Sequence, residues 1–186
     1  VEIGQEVVVS ASRIEERILE SPVSIEKMNI LDIQNTSADN YYKAIANLKG
    51  IDVTSSSINF QVYNSRGFSN NGNTRFVQLI DGMDTQAPAL NFPIGNLNGP
   101  SELDAESIEF IPGPSSALYG PNAFNGVLLI NSKNPFEYQG LSAFQKIGMN
   151  HINDTQSNYT AQPMYEASIR YAKAYNNKFA FKVNFS

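Results

Sequence analysis

The last third of the chain carries a regular alternation of apolar and polar side chains, which is the period of a β-strand. From residue 165 to 171, apolar or aromatic residues hold the odd positions and polar residues the even ones. The same alternation places Phe179, Phe181, Val183 and Phe185 on one face of a second strand. Asn176 and Asn177 lie between the two segments and can form a tight turn with positive φ. We therefore predict a β-hairpin over residues 165–186.

One face of this hairpin is wholly apolar and rich in aromatic residues, which is typical of a transmembrane β-barrel strand. A pair of strands from a soluble β-sandwich remains the alternative interpretation. The segment "GLSAFQKIGMN" is predicted to form the preceding strand, joined through a polar loop over residues 153–162. In a barrel, Phe179, Phe181, Val183 and Phe185 would face lipid.

Upstream of residue 138, helix and strand patterns alternate with polar loops. Strands are predicted in "PVSIEKM", "IDVTS", "NFQVYNSRGF" and "RFVQLIDGM", and a short helix or turn in "NILDIQN". The clearest helix is "TSADNYYKAIANLKG", which Ser37 or Asp39 can cap and Gly50 can end. Strands and helices mixed in this way predict an α+β domain with a small mixed β-sheet and short helices.

Residues 106–133, "ESIEFIPGPSSALYGPNAFNGVLLINSK", are the most informative segment. Pro112, Gly113 and Pro114 must end the first strand, because a central strand does not tolerate such a cluster. Ser115 or Ser116 can cap a short helical turn that follows. Gly120 and Gly126 are predicted to supply backbone freedom at the two bends, and Val127 to Ile130 forms an apolar run typical of a buried strand.

This segment resembles the signature of the plug domain of TonB-dependent outer-membrane transporters, roughly "VExIEVxRGPxSxLYGxxAxxGVINIxTK". Two further strings resemble the family's "IRGF" and "VLIDG", through Arg66-Gly67-Phe68 and Leu79 to Gly82. Asp81-Gly82 also predicts a turn by itself. The resemblance covers about residues 6–138. The motif residues expected to have structural roles are Arg66, Gly67, Asp81, Gly82, Glu106, Glu109, Gly113, Pro114, Tyr119, Gly120 and Gly126.

The family pattern has an Arg before Gly-Pro, where this chain has Pro112, and an Arg where it has Ser107. These departures weaken any transfer of the charged contacts that hold plug to barrel. Arg66 is expected to pair with a carboxylate, with Glu106 and Glu109 as the candidates, because charges in such positions usually do structural work.

Composition excludes several other functions. The net charge is −5 and the pI about 4.9, whereas a nucleic-acid partner would require a basic stripe. The chain has no cysteine and one histidine, His151, which excludes thiolate catalysis, zinc–thiolate sites and paired-histidine metal motifs. No cofactor or metal is expected. A phosphate-gripping enzyme is disfavoured because the glycine-rich bends lack the Gly-Lys-Ser/Thr ending of a nucleotide-binding loop.

The first residues, "VEIGQEVVVSAS", are β-prone and have no evident local partner strand. They could be an ordinary first strand of the domain. The resemblance implies a Ton box, whose pattern of an acidic residue, Thr-x-Val-Val-Thr-Ala, is similar to "EVVVSA" except for the missing first Thr. An unpaired extended segment can add as a strand to another protein's sheet. The implied TonB-binding residues are Glu6, Val7, Val8, Val9, Ser10 and Ala11.

The resemblance also implies that substrate binds at three outward-facing loops, 54–59, 69–74 and 86–98. They are rich in Ser, Asn and Gln, which favours uncharged hydrogen-bonding ligands such as a siderophore or a glycan. Phe92 could stack on a ligand, although it could equally anchor its loop in the core. The candidate substrate-binding residues are Ser55, Ser56, Ser57, Asn59, Asn71, Asn73, Gln86, Asn91 and Phe92.

The predicted organisation is a Ton-box-like segment over residues 1–12, a plug over 13–138 and the first barrel strands over 139–186. About three strands cannot close a barrel of about 22, so the sequence is expected to be part of a longer protein. Expected partners are the periplasmic domain of TonB, the rest of the barrel, outer-membrane lipid, the substrate and a surface lipoprotein. The alternative function is a binding or scaffold module of the outer membrane that keeps residues 6–11 packed and does not transport.

Overall fold

A computed structural model describes residues 7–8, 16–35, 41–57, 60–67, 72–97, 99–149 and 162–186. The chain divides into two compact units, Val1–Ser132 and Lys133–Ser186. The boundary after residue 138 stays a prediction. None of the described helices has the length and apolar character needed to cross a membrane.

The first unit contains nine strands and three short helices within its described ranges. In chain order they are β1 (Val7–Val8), β2 (Glu16–Arg17), β3 (Glu26–Asn29), α1 (Ile30–Gln34), α2 (Tyr41–Ile45), β4 (Ile51–Ser57), β5 (Phe60–Ser65), β6 (Phe76–Ile80), β7 (Met83–Asp84), β8 (Ala105–Pro112), α3 (Ser116–Tyr119) and β9 (Gly126–Ser132), with a 3-10 turn at Gly95–Leu97.

A five-stranded sheet in the order β3-β8-β9-β6-β7 forms the centre of this unit. Strands β6 and β9 are parallel, whereas the other neighbours are antiparallel. Parallel neighbours need a long crossover, and residues 81–125 supply it, including β8 itself. Strands β4 and β5 form a separate antiparallel pair. The predicted mixed sheet with short helices is therefore confirmed.

Both faces of the sheet are buried, because successive side chains of a strand point in opposite directions. Phe76 and Leu128 belong to one apolar cluster, together with the buried residues of α1 and α2. Val77 and Val127, their neighbours in sequence, belong to a second cluster on the other face. Near-continuous apolar runs such as residues 127–130 follow from this two-sided burial.

The helix predicted over residues 36–50 is shorter within the described residues, where α2 covers Tyr41–Ile45. Gly50 has a φ of +82°, which fits its predicted role at the end of this segment. The proposed caps Ser37 and Asp39 lie outside the described residues. The short helix predicted in "NILDIQN" is confirmed as α1.

The N-terminal segment has a partner strand, which agrees with the alternative interpretation as an ordinary first strand. Val7 pairs with Arg17, and Val8 pairs with Glu16, in an antiparallel arrangement. The side chain of Val8 is 0% exposed and belongs to the second apolar cluster. Lys27 donates a hydrogen bond from Nζ to the carbonyl of Val7. The partner was missed because a two-residue pairing across a long connection leaves no local pattern.

The second unit is an antiparallel sheet of β10 (Gly140–Met149), β11 (Pro163–Tyr175) and β12 (Phe179–Phe185). Asn176 and Asn177 have φ values of +51° and +52° and form the predicted turn. Burial alternates along β11, where Ser168, Arg170 and Ala172 are buried and their neighbours are exposed. Its cross-strand register places Ile169 beside Phe185, so the apolar residues share one face.

Hydrogen bonds fasten the connection that enters this sheet. Arg170 donates to the carbonyl of Tyr138 at 2.8 Å and to that of Lys133 at 3.5 Å. Lys182 donates to the same Lys133 carbonyl at 3.1 Å. The backbone amide of Ala174 donates to the side chain of Gln139 at 3.2 Å. Residues 133–139 are thus attached to β11 and β12 rather than left as a free linker.

Three buried tyrosines connect α2 to β5. The ring centroids of Tyr41 and Tyr42 are 4.5 Å apart, and those of Tyr42 and Tyr63 are 6.0 Å apart. Tyr63 donates a hydrogen bond to the carbonyl of Tyr42. Burial raises the pKa of Tyr42 to about 12 and raises the pKa of both Tyr41 and Tyr63. All three therefore stay neutral throughout the physiological range.

These tyrosines predict a loss of stability at alkaline pH. In the unfolded chain a tyrosine ionises near pH 10, whereas folded Tyr42 keeps its proton until about pH 12. The free energy of unfolding should be insensitive to this group below pH 10. It should fall by as much as about 3 kcal/mol as the pH rises to 12. Chemical denaturation of the full-length protein across this range measures the slope. The variant Tyr42→Phe should show a shallower slope, and an unchanged slope would contradict the assignment.

Candidate functional site

The signature segment 106–133 contains most of β8, α3 and β9. Backbone hydrogen bonds close the connection between the two antiparallel strands. The backbone amide of Gly113 donates to the carbonyl of Asn125 at 3.2 Å, and that of Ser115 donates to the carbonyl of Ala123 at 2.8 Å. Gly113 and Gly120 have φ values of +117° and +89°, which other residues rarely adopt. The two glycines therefore shape the bends on either side of α3.

Two details of this segment differ from the sequence prediction. Ser115 is the N-cap residue of α3, but its side chain makes no capping hydrogen bond, and the hydroxyl of Ser116 donates to the carbonyl of Ala123 at 3.2 Å. Gly126 does not have a positive φ. A Cβ atom there would lie 3.0 Å from Ser65 Oγ and 3.2 Å from the carbonyl oxygen of Ile111, so the position requires a small residue rather than a flexible backbone.

Arg66 connects the β4–β5 pair to this segment. Its backbone has a φ of +58°, and its Nη2 donates to the carbonyl of Pro112 at 3.3 Å. A Cβ atom on Gly113 would lie 2.7 Å from the same nitrogen, so the glycine also makes room for the guanidinium. The amide of Gly67 donates to Asp52 Oδ2 at 2.7 Å. The contact with Pro112 replaces the ion pair with Glu106 or Glu109 that the sequence predicted.

Asp81 and Gly82 form the turn between β6 and β7, as predicted, with φ values of +49° and +79°. Asp81 also has a role that its turn position did not reveal. Its carboxylate accepts hydrogen bonds from the amide of Ser132 at 2.8 Å and from the Ser132 hydroxyl. The turn is therefore fastened to the end of β9.

The other motif residues have different environments. Glu109 is buried and Glu106 is partly buried, both on β8. Pro114 is exposed, whereas Tyr119 packs against the second apolar cluster. Among the described residues, no group of acidic or histidine side chains could hold a metal ion. The motif as a whole supports the fold.

Of the implied TonB-binding residues, the structure describes only Val7 and Val8. Glu6, Val9, Ser10 and Ala11 lie outside the described residues. Val7 is partly accessible at 41% exposure, whereas Val8 is buried. The segment therefore has one accessible and one packed valine side by side.

The described part of the 86–98 loop, residues 86–97, is folded back on itself. Gln86 forms an isolated bridge with Pro93, and the amide of Ala87 donates to the carbonyl of Phe92 at 2.9 Å. Asn91 is exposed and has a φ of +52°, while Phe92 is half-buried. Asn91 is therefore available at the tip, and Phe92 is partly so.

The candidate residues of the three loops are not all accessible to a ligand. Ser55 and Ser57 are exposed near the β4–β5 turn, whereas Asn73 is only 7% exposed. The amide of Asn73 donates to Asn64 at 2.7 Å, and its oxygen accepts from the amide of Arg75 at 3.0 Å. Its polar atoms thus support the fold rather than face a ligand. Asn59, Asn71 and the side chain of Ser56 lie outside the description.

Contacts do place the 86–98 loop against the β4–β5 pair. Gly95 lies so close to β5 that a Cβ atom there would sit 1.7 Å from the carbonyl oxygen of Gln61. Asn122 donates to Gln86 at 3.2 Å, which also links the loop to the signature segment. Sequence reasoning missed Gln78, which donates to the carbonyl of Gly95 at 2.8 Å. A polar residue within the apolar strand "RFVQLIDGM" was the available signal.

Comparison with known proteins agrees with this geometry. The family model of the TonB-dependent receptor plug domain matches residues 17–127. The heme/hemopexin utilization protein C of Haemophilus influenzae is 33% identical over 133 residues, covering 69% of this chain and 17% of that protein. The vitamin B12 transporter BtuB of Vibrio vulnificus is 29% identical over 136 residues, covering 69% of this chain and 20% of that protein.

Solved structures show the same fold. The ferripyoverdine receptor of the outer membrane of Pseudomonas aeruginosa aligns with a TM-score of 0.64 at 17% identity, over 90% of this chain and 20% of that chain. The ferric yersiniabactin uptake receptor FyuA of Yersinia pestis aligns with a TM-score of 0.57 at 16% identity, over 83% and 22%. The chain thus spans about a fifth of the length of these proteins.

The glycine geometry makes a direct prediction. Gly120→Val forces a β-branched residue into a positive φ, which should lower the free energy of unfolding by about 1 to 3 kcal/mol. Gly72→Val is the matched control, because that glycine has no positive φ and an added Cβ would meet nothing within 4 Å. It should change stability by less than about 0.5 kcal/mol. Equal effects of the two substitutions in chemical denaturation would contradict this account of Gly120.

Proposed function

Because the chain belongs to the TonB-dependent receptors of the bacterial outer membrane through their plug domain, we propose that it gates a barrel and binds substrate for energised uptake into the periplasm. Residues 13–138 act as the plug, and residues 139–186 provide the first strands of the barrel. The role is that of a transport component and involves no catalysis. Partners are TonB, the remainder of the barrel and the surrounding lipid, with a surface lipoprotein as a further candidate.

The shortness of the strand pair that holds the N-terminal segment is the observation that carries this proposal. The described part of the segment is held by a two-residue strand pair, by the packing of Val8 and by the Lys27 hydrogen bond to Val7. Such short pairings open easily, because few contacts must be broken. Once released, residues 6–11 could add as a strand to the sheet of the TonB periplasmic domain.

The position of β3 supports a mechanical role for this segment. Strand β3 is an edge strand and pairs only with β8 in the central sheet. A pull on the N-terminus would therefore reach β1, β2 and then β3 before any interior strand. Edge strands have one partner to lose, whereas β9 is held on both sides by β8 and β6. The plug can thus open from one side.

The apolar face of the second unit fits the barrel assignment. Leu141, Ile147, Tyr165, Val183 and Phe185 are all at least half exposed. The strand register places Ile147 beside Tyr165 and Phe185 beside Ile169. In a barrel such a face contacts lipid while the polar face lines the interior. We assign Phe179, Phe181, Val183 and Phe185 to the lipid side.

The substrate is proposed to be an uncharged or charge-compensated ligand bound at the 86–98 loop and the β4–β5 turn. Residues 85–101 contain no Asp, Glu, Lys or Arg, so amide, hydroxyl and apolar groups must make the contacts. Asn91 and Phe92 are the main contacts, and the exposed Ser55 and Ser57 of β4 are further candidates. Heme, vitamin B12 and ferric siderophores, the cargoes of the relatives by their names, are the compounds to test together with glycans.

A second candidate function is a binding or scaffold module that does not transport. The observation that favours it is the packing of Val8, since a scaffold would keep the N-terminal segment in place. The two functions differ in one measurable respect. Only the transporter loses substrate accumulation when TonB is absent, whereas both retain binding at the cell surface.

The first prediction of this proposal concerns Val8. In the full-length receptor, Val8→Pro removes a backbone donor and fixes φ, which blocks addition of the segment as a strand. Uptake should fall to the level of a TonB-deficient strain, while binding at the cell surface persists. Both are measured with radiolabelled compound in intact cells.

Val8→Ala is the matched control, because it removes most of the packing and keeps the backbone donor. Uptake by this variant should remain at or near the wild-type level. Normal transport by Val8→Pro would show that residues 6–11 are not the Ton box, and equal loss in both variants would assign the defect to lost packing.

The second prediction concerns recognition. Replacing Ala89 to Pro93 with a short Gly-Ser linker removes the loop tip with Asn91 and Phe92, which should weaken binding about tenfold, or about 1.4 kcal/mol. Hemin, cyanocobalamin and ferripyoverdine are titrated separately against the purified receptor. The matched control replaces exposed Ser142 in β10 with Gly. Unchanged affinity after the loop exchange would place recognition on parts of the receptor outside this chain.

A further inference from the structure

Gln78 is a buried amide in the middle of an apolar strand. It lies on β6 between Val77 and Leu79 and is 0% exposed. In the family string "VLIDG" this position is occupied by Val, whereas this chain has an amide there. Because burying a polar group costs free energy unless it is hydrogen-bonded, its contacts indicate what it does.

The contact that Gln78 makes is with the base of the 86–98 loop. Its Nε2 donates to the carbonyl of Gly95 at 2.8 Å. Gly95 has a φ of +61° and lies against β5, where a Cβ atom would be 1.7 Å from the carbonyl oxygen of Gln61. The Gln78 amide therefore holds Gly95 between the central sheet and the β4–β5 pair.

The loop is fastened on its other side by the buried tyrosines. Tyr41 donates to the carbonyl of Pro100 at 2.6 Å, and a Cβ atom on Gly99 would lie 1.7 Å from the hydroxyl oxygen of Tyr42. The return of the loop is thus held at residues 95 and 99–100, while its tip at Ala89 to Asn91 is exposed. Fixed stems with an exposed tip are the arrangement of a preorganised binding loop.

The amide oxygen of Gln78, Oε1, indicates whether this side chain stabilises the fold. Within the described part of the chain, Gln78 Oε1 is buried and has no hydrogen-bond partner. A buried unsatisfied acceptor offsets much of what one hydrogen bond contributes. An apolar side chain of similar length would avoid this cost, so the gain from the amide lies in fixing Gly95.

We propose that Gln78 is a positioning residue that sets the conformation of the 86–98 loop and thereby the substrate specificity of the plug. The proposal rests on the recognition role proposed above for this loop. Gln78 acts through Gly95 and does not itself contact the substrate.

The test is amide hydrogen exchange of the full-length receptor carrying Gln78→Met, which keeps the length of the side chain and removes its donor. Without substrate, amides of peptides covering residues 86–97 should exchange about tenfold faster, which corresponds to one lost hydrogen bond. Exchange in β8 and β9 should stay at the wild-type rate, and the midpoint of chemical denaturation should be unchanged or higher.

Two further variants sharpen the test. Gln145→Met makes the same chemical change at an exposed position of β10 and should leave exchange in residues 86–97 unchanged. Gly95→Ala displaces the other half of the contact, and its effect on loop exchange should not add to that of Gln78→Met. Additive effects would mean that the two residues act separately and would contradict the proposal.

An unchanged exchange rate of residues 86–97 in Gln78→Met overturns the inference. Equally accelerated exchange throughout the central sheet also overturns it, because Gln78 would then contribute to general stability. The measurement is made without ligand, so it does not depend on which compound the receptor binds. If the exchange result is as expected and replacement of the loop tip leaves affinity unchanged, the positioning contact stands and the recognition role of the loop is wrong.

Discussion

The plug depends on one constraint, which is that β9 pairs with β8 on one side and runs parallel to β6 on the other. A parallel neighbour cannot be reached by a tight turn, so the chain must make a long crossover and return. That crossover contains both the 86–98 loop and the signature bends at Gly113 and Gly120. The glycines, the turn at Asp81 and the fit of Gly126 against Ser65 all serve to close this arrangement.

Local patterns were sufficient for most of the fold. The Asn176-Asn177 turn, the strands of the signature segment and the Asp81-Gly82 turn each depend on a few neighbouring residues, and the sequence predicted them. The pairing of Val7 with Arg17 and the contact of Arg66 with Pro112 depend on residues distant in the chain, which no periodicity encodes. A pattern shows that a charge needs a partner, but many acceptors can satisfy it.

The candidate site shows the same difference between features set by neighbouring residues and contacts between distant residues. Loop composition predicted 86–98 as a candidate recognition loop, yet polar composition alone could not separate residues that face outward from those used internally. Asn73 and Asn91 look alike in sequence, but the first is bonded to Asn64 and Arg75 whereas the second is exposed. The distinction comes from packing. Hydrogen bonds from Gln78 and Tyr41 hold the loop at Gly95 and Pro100, whereas its tip is exposed.

The edge position of β3 also determines how far the N-terminal segment can extend from the plug. If β1, β2 and β3 are stripped from the plug, the 21 residues from Val9 to Asn29 become free chain. Fully extended, they span about 70 Å. Val8 could then lie that far from β8 while the parallel pair of β6 and β9 keeps every hydrogen bond. Under the proposed function, the N-terminus can therefore bind a distant partner while the centre of the plug stays folded, so reach and closure depend on separate parts of the same domain.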